Sequence, residues 1–305
     1  MEAKWLADFL SVARTGNFSQ SASEMNITQS AFSRRIKSLE QWVGVALIDR
    51  STYPTRLTPA GERFREAARD ATAALLKTRQ DLRQALDADR KWLRLATQHS
   101  LASSFLAPWL ARLPLRRDDL LVRATADNLH DCVRELEEGS VDLLICYTQP
   151  ELPLHLDPQR YLSLHLADDA LVPYCKPDAQ GQPLHPLLGA ATGPVAQLRY
   201  GEGTFLARAT ALAVHRSDLA MRLHPVVESA LAEALRACAL AGMGVAWLPR
   251  SLVVDDLERG VLVRAGGPEH ELVLQTRLYG ERSLVQGRLK GLWRAAGALA
   301  NAGVA

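Results

Sequence analysis

Between Gln29 and Val43 the chain reads QSAFSRRIKSLEQWV, and at helical spacing this segment has two faces. Phe32, Ile36, Leu39 and Val43 recur at i, i+4, i+7 and i+11 as an apolar stripe. Ser30, Ser33, Arg34 and Lys37 recur at i, i+3, i+4 and i+7 as a polar stripe without a carboxylate. The first stripe suits a protein core; the second carries the donors that a helix in the major groove presents to base edges. Ahead of it, Trp5, Leu6, Phe9, Leu10, Val12 and Ala13 give an apolar helical face from Lys4 to Thr15, which Gly16 ends. A short second helix is predicted from Asn17 or Ser19, either of which can cap it, to Glu24 or Met25, and Thr28 caps the third. Helix, tight turn, helix is the arrangement whose second helix enters a groove.

After Gly44, the runs VALIDR, STYPT and RLT read as two short strands joined by a turn containing Pro54, a wing beside the helix pair. Arg50 and Arg56 fall at its edges, where backbone phosphates or the minor groove are the expected contacts. Thr58-Pro59 then opens a long helix, with Thr58 as N-cap, Pro59 at the first helical position and Glu62 facing the positive dipole end. Along it Phe64, Ala68, Ala71, Leu75, Thr78, Leu82 and Ala85 are spaced 4, 3, 4, 3, 4 and 3 apart, a heptad seam. Such a seam needs a cover. A second copy of the chain would supply one and would present two recognition helices to a two-fold DNA site; the rest of the same chain is the other candidate.

Beyond a charged hinge, Asp87 to Lys91, the pattern changes. WLRLATQHS reads as a strand ending in a polar loop, FLAPWLARL as a helix, LLVRATA as a strand, NLHDCVRELEEG as a helix and VDLLICYT as a strand. This alternation predicts a mostly parallel sheet, whose ligands bind beyond the carboxyl ends of the strands. Those ends carry His99, Ser100, Ser103 and Ser104 after the first strand and Tyr147, Thr148 and Gln149 after the third. A second α/β unit is predicted from about Leu166 to Arg264: strand DALVPYC, a glycine turn opening a helix in LRYGEGTFLAR, and helix, glycine break and strand in ESALAEALRACALAGMGVAWLPR. The turn's amides at Gly203, Thr204 and Phe205 suit an anion, plain loop geometry being the other reading. The strand LVLQTRLYG and a last helix return to the first unit, giving two lobes, two crossings and a cleft.

At 305 residues, two or more domains are expected, and 48% hydrophobic with 23% charged residues is ordinary for a globular chain. No apolar run approaches the roughly 18 residues of a membrane span, and the first residues lack a signal-peptide layout, so a cytoplasmic location without membrane attachment is expected. The net charge of +2 says little, but from Ile27 to Arg56 five cations (Arg34, Arg35, Lys37, Arg50, Arg56) face two anions (Glu40, Asp49), a local +3 that suits phosphates. Cys132, Cys146, Cys175 and Cys238 form no CxxC, so neither a metal cage nor a disulfide framework is predicted, and no cofactor is implied. The histidines make no HxxxH or HxH and no GxSxG occurs, which argues against an enzyme; the remaining alternative from another class is a two-lobed small-molecule-binding protein.

The stretch NFSQSASEMNITQSAFSRRIKSLEQWVGVALIDR, followed by RLTPAGE, resembles the winged helix-turn-helix of LysR-type transcriptional regulators. The resemblance implies a winged helix-turn-helix domain at 1–58, a dimerising linker helix at 59–89 and an α/β, two-lobed, periplasmic-binding-protein-like effector domain at 90–305. Lobe I would take about 90–165 and 266–305, and lobe II about 166–265. It implies double-stranded DNA, a small-molecule effector and a homodimer or tetramer of this chain as partners. Carried over by position, Gln29, Ser30, Ser33, Arg34, Lys37, Arg50 and Arg56 would meet DNA. Ser100, Leu101, Tyr147, Thr148, Gly203, Thr204, Phe205 and Leu206 would meet the effector. Within the family, KWLADFL, NFSQ, SAFSRRIKSLEQ, TQHSL and GVAWLP are similar to the hypochlorite-responsive regulators, which act through methionine oxidation, so hypochlorite or a related oxidant is one expected signal and a metabolite or anion the alternative. The positions matching the sensing methionines hold Leu113, Leu206 and Leu231, which form no sulfoxide; Met221 and Met243 remain.

Overall fold

The computed structural model describes residues 2–25, 27–52, 54–86, 92–113, 121–154, 156–187, 193–217, 219–220 and 222–302, and the chain divides into two units, 1–88 and 89–305. The predicted hinge at 87–91 and Met221 lie outside the described residues.

In the first unit, α1 (Ala3–Thr15) ends at Gly16, whose N–H bonds the Val12 carbonyl. Asn17 caps α2 (Phe18–Glu24) by accepting from the amides of Ser19 and Gln20, and Thr28 caps α3 (Gln29–Val43) by accepting from Ala31. The apolar stripe of α3 is the core: Phe32, Ile36 and Leu39 are fully buried with Leu6, Phe9 and Val12 of α1. The wing is a two-residue ladder, β1 (Ile48–Asp49) against β2 (Arg56–Leu57), antiparallel. The long helix α4 (Pro59–Leu86) follows. Thr58 caps it by accepting from the Gly61 amide at 3.0 Å, while its hydroxyl donates to the Ala46 carbonyl at 2.8 Å. Gly61 is required here, because a Cβ at this position would overlap the Leu47 carbonyl.

The heptad seam of α4 divides. Phe64 stacks edge-on against Phe9, with ring centroids 5.3 Å apart, and Ala68 is buried in the same core, so these two positions are covered by their own unit. Leu75 and Leu82 are 58% and 63% exposed. Among the described residues, the proximal positions Phe64 and Ala68 are therefore covered by their own unit, and the distal positions Leu75 and Leu82 are open.

The second unit carries β3 (Trp92–Gln98), α5 (His99–Ser104), α6 (Leu106–Arg112), β4 (Leu121–Asp127), α7 (Leu129–Glu137) and β5 (Leu143–Thr148) in its first lobe. The chain crosses on β6 (Tyr161–Cys175) and builds the second lobe from β7 (Val195–Tyr200), α8 (Phe205–Arg216), β8 (Leu223–Ser229), α9 (Ala232–Leu240) and β9 (Val245–Pro249). After α10 (Val254–Glu258) and β10 (Val263–Arg264), it returns on β11 (Leu272–Glu281) to α11 (Arg282–Gln286) and α12 (Lys290–Asn301). The strand order is β4-β3-β5-β11-β6-β9-β7-β8, with β10 on β6. Within each lobe the neighbours β3/β4, β3/β5, β7/β8 and β7/β9 are parallel, whereas the crossing strands pair antiparallel with each other and with β5 and β9. This is the predicted two-lobed α/β plan with two crossings. HSLASS is the exception: it folds as α5 directly from the strand, because Ser103 and Ser104 return their hydroxyls to the carbonyls of His99 and Ser100 at 2.9 and 2.8 Å. β8 escaped the hydrophobic pattern because it is a largely exposed edge strand.

Asp142, fully buried where the chain enters β5, gathers two arginines. Its carboxylate accepts from the Arg94 amide at 2.9 Å and guanidinium at 2.8 Å, and forms an ion pair with Arg288 at 2.9 Å. Among the described residues, no helix is long and apolar enough to cross a membrane.

Candidate nucleic-acid interface and effector cleft

Capping by Thr28 starts α3 at Gln29, so Gln29 and Ser30 stand exposed on its first turn. Ser33 is half-buried one turn on, and Arg34 and Lys37 are exposed and form no ion pair among the described residues. Arg35, the cation between them, has a different role: it pairs with buried Asp8 at 3.4 Å and docks α3 on α1. Burial, only partly offset by Arg35, raises the Asp8 carboxyl above the usual carboxylate range. Arg50 is also engaged. It donates to Glu40 at 3.1 Å and to the Ser33 hydroxyl at 3.4 Å, and lies 5.0 Å from the Phe18 ring centroid. Arg50 therefore fastens the wing to the helix pair. Arg56 is exposed on β2 opposite Asp49.

The residue that sequence reasoning missed is Glu40. One of its oxygens accepts from the amides of Leu47 and Ile48 at 2.9 and 3.1 Å, and the other accepts from Arg50. It sets the angle between α3 and the wing. In the sequence it counted only as an anion reducing local charge, since its main partners are backbone amides that no residue pattern marks.

In the second unit a small cleft, half open to solvent, lies where helix starts from the two lobes converge. The first lobe contributes Gln98, His99, Ser100, Asp127, Asn128 and Leu129; the second contributes Thr204, Phe205, Leu206, Ala230 and Ala232. Ser100 is 3% exposed, and its hydroxyl has no hydrogen-bond partner among the described residues. Gln98 accepts from the Tyr147 amide at 2.6 Å, which leaves its NH₂ group for the cleft. Thr204 is occupied: its hydroxyl donates to the Gly201 carbonyl and accepts from the Ala207 amide, both at 3.1 Å, capping α8. The amides of Phe205 and Leu206, in the first turn of α8, have no intrahelical acceptor. Asp127 is exposed and accepts from the Asn128 amide at 2.8 Å.

Of the eight expected effector residues, Ser100, Thr204, Phe205 and Leu206 line this cleft, and Leu101, Tyr147, Thr148 and Gly203 do not. Leu101 is 1% exposed in the core, Thr148 is buried with its hydroxyl 3.4 Å from the Gln275 carbonyl, and Gly203 supplies a left-handed turn, φ 88°, ahead of α8. Tyr147 is fully buried, and its hydroxyl donates to Asp169 at 2.7 Å. Burial, then the Asp169 carboxylate, holds that phenol well above its ordinary range. Ser251 also donates to Asp169 at 2.7 Å and lies 3.0 Å from Ser104 of α5, so Tyr147 belongs to a polar joint linking the lobes. Sequence reasoning missed Gln98, Asp127 and Asn128 because the ends of β3 and β4 become neighbours only once those strands pair.

Among the described residues of this unit, Cys238 is half-buried and the other three cysteines are enclosed. Cys132, Cys146 and Cys175 are buried, and burial raises all three thiols, Cys132 to about 12. A protonated, enclosed thiol is a poor nucleophile. Leu206 lies in the cleft, Leu231 is 41% exposed just before α9, Leu113 is buried, and Met243 is 48% exposed.

Residues 3–62 match the family described as bacterial regulatory helix-turn-helix protein, lysR family, and residues 86–294 match the LysR substrate binding domain. The chain is 29% identical over 296 residues to the HTH-type transcriptional regulator YjiE of Escherichia coli K12, covering 96% of this chain and 93% of that protein. Among solved structures it is similar to Vibrio fischeri DarR in complex with DNA, at 28% identity, TM-score 0.57 and 98% coverage of each chain. It is likewise similar to full-length HypT of Salmonella typhimurium, a hypochlorite-specific LysR-type transcriptional regulator, at 26% identity, TM-score 0.59 and 99% coverage of each chain.

Proposed function

The chain belongs to the LysR family of DNA-binding transcriptional regulators, which are not enzymes, and from that premise we propose that it is switched by a small ligand with an anionic group held directly in the lobe cleft. The observation that carries this reading is Ser100: a residue 3% exposed at the cleft, its hydroxyl without a partner among the described residues, beside the NH₂ of Gln98 and the α8 amides. These donors, facing one cleft, suit the oxygens of an anionic ligand. A ligand bridging the lobes favours the closed arrangement by its differential affinity, which is the energy available to redirect the DNA-binding heads. On DNA, Gln29, Ser30, Ser33, Arg34 and Lys37 read the groove, Arg56 meets phosphate, and Arg50 holds the wing in position.

The test is thermal melting of the full chain in bromide, sulfate or acetate at constant ionic strength. A stabilisation specific to one anion, and lost in Ser100→Ala, is expected. Shifts that follow ionic strength alone, or that survive the substitution, overturn the reading.

A second reading is favoured by one observation, the exposure of Met243, together with the likeness to hypochlorite-specific HypT. In it hypochlorite acts by sulfoxide formation at Met243 instead of at the leucine positions. A hypochlorite response unchanged in Met243→Leu removes it.

We further propose that the distal seam of α4 is covered by the same seam of a second copy, and that such dimers pair into tetramers. Leu75 and Leu82 each leave more than half their surface in water, and two helices meeting there bury both. Leu75→Glu combined with Leu82→Glu should shift the sedimenting species to a lower assembly state while Phe64 and Ala68 keep the first unit folded. An unchanged sedimentation coefficient places the interface elsewhere.

A further inference from the structure

The charges around the cleft narrow the ligand class further. Asp127, at the end of β4, is the carboxylate among the lining residues, and no lysine or arginine lines the cleft among the described residues. Its carboxylate accepts from the Asn128 amide at 2.8 Å and retains free lone pairs at the mouth. The donors come from both sides. Beside Asp127 on the first lobe, Gln98 presents its NH₂ and Ser100, a residue 3% exposed, presents a hydroxyl without a partner among the described residues; from the second lobe, the twelve-residue α8 presents its first-turn amides. A ligand that is only an anion satisfies these donors but meets the Asp127 carboxylate. A ligand that is only a cation satisfies Asp127 and leaves the buried donors unmade. Leu129, Leu206 and Ala232 add apolar contact to the lining.

We propose that the cleft binds a small zwitterion of the α-amino-acid type, its carboxylate on Ser100 and the α8 amides and its ammonium on Asp127. This rests on reading the cleft as the effector site, and it assigns Asp127 as the residue that determines specificity for the amine.

The experiment is a thermal-shift screen of the full chain with the twenty protein amino acids. Any that stabilises is compared with the carboxylate lacking its amine, alanine with propionate or leucine with 4-methylpentanoate, in wild type and Asp127→Asn. At least one amino acid should stabilise the wild type and bind tenfold or more tightly than its deaminated analogue. Asp127→Asn should weaken the amino acid roughly tenfold to a hundredfold, the worth of one charge-assisted contact, and bind the deaminated acid as well or better. Because Asp127 is exposed and holds only its neighbour's amide, the unliganded variant should melt with the wild type. If carboxylates or inorganic anions stabilise and no amino acid does, or if Asp127→Asn leaves the preference for the amine intact, the zwitterion is overturned while the anion reading of Ser100 stands. If neither class stabilises, both are.

Discussion

Replacing Arg34 by alanine should weaken duplex binding about tenfold to a hundredfold at fixed salt and leave the melting temperature of the free protein unchanged. The two halves of this expectation have separate causes. Arg34 is exposed on the polar face of α3 and has no ion-pair partner among the described residues, so the fold loses nothing when it is shortened. On DNA, a guanidinium pair to a base edge is worth about 1–3 kcal/mol, and a phosphate contact lowers the salt dependence of binding by about one counterion. Titration against operator DNA at two salt concentrations separates the base-reading role from the phosphate role. Arg35 is the internal control. Arg35→Ala removes the partner of buried Asp8, so it should lower the melting temperature before any effect on DNA is considered. An Arg34→Ala protein with wild-type affinity would sink the assignment of the polar stripe.

The largest effect on stability is expected at Asp142. Its carboxylate holds Arg94 by three hydrogen bonds and pairs with the Arg288 cation, while its own amide donates to the Arg94 carbonyl at 2.8 Å. Arg288 also reaches the Trp92 carbonyl at 3.2 Å, so the cluster joins the start of β3, the entry of β5 and the segment after α11. Asp142→Ala leaves the largely buried Arg94 cation without its counter-charge, the situation in which loss of one partner costs about 3–5 kcal/mol. For a domain of this size each kcal/mol moves the melting temperature by roughly 2–4 °C, so a fall on the order of 10 °C is expected by calorimetry. Asp142→Asn, which keeps an acceptor oxygen, should fall less. Equal melting of wild type and alanine variant would show that water replaces the carboxylate at no cost.

The helix caps, the apolar and polar stripes of α3, the alternation of strands and helices and the two crossings were all legible before folding, because each depends on residues close in sequence. Asn17, Thr28 and Thr58 act on amides two or three residues away, and Phe32, Ile36 and Leu39 share one face of one helix. The exposure of Arg34 and Lys37 followed from the same periodicity. What tertiary structure alone decided is which polar groups have partners. Arg34, Arg35 and Arg50 are equivalent by composition, yet Arg35 is taken by Asp8 and Arg50 by Glu40, partners 27 and 10 residues away. Tyr147 looked like a ligand contact at a strand end, and Asp169, 22 residues on, draws its hydroxyl into the joint between the lobes. The same reasoning explains why Phe64 and Ala68 left the seam for α1 and why Asp127 joined Ser100 at the cleft. Periodicity is a property of the local backbone, whereas the pairing of a buried charge or hydroxyl depends on strands and helices distant in sequence arriving side by side.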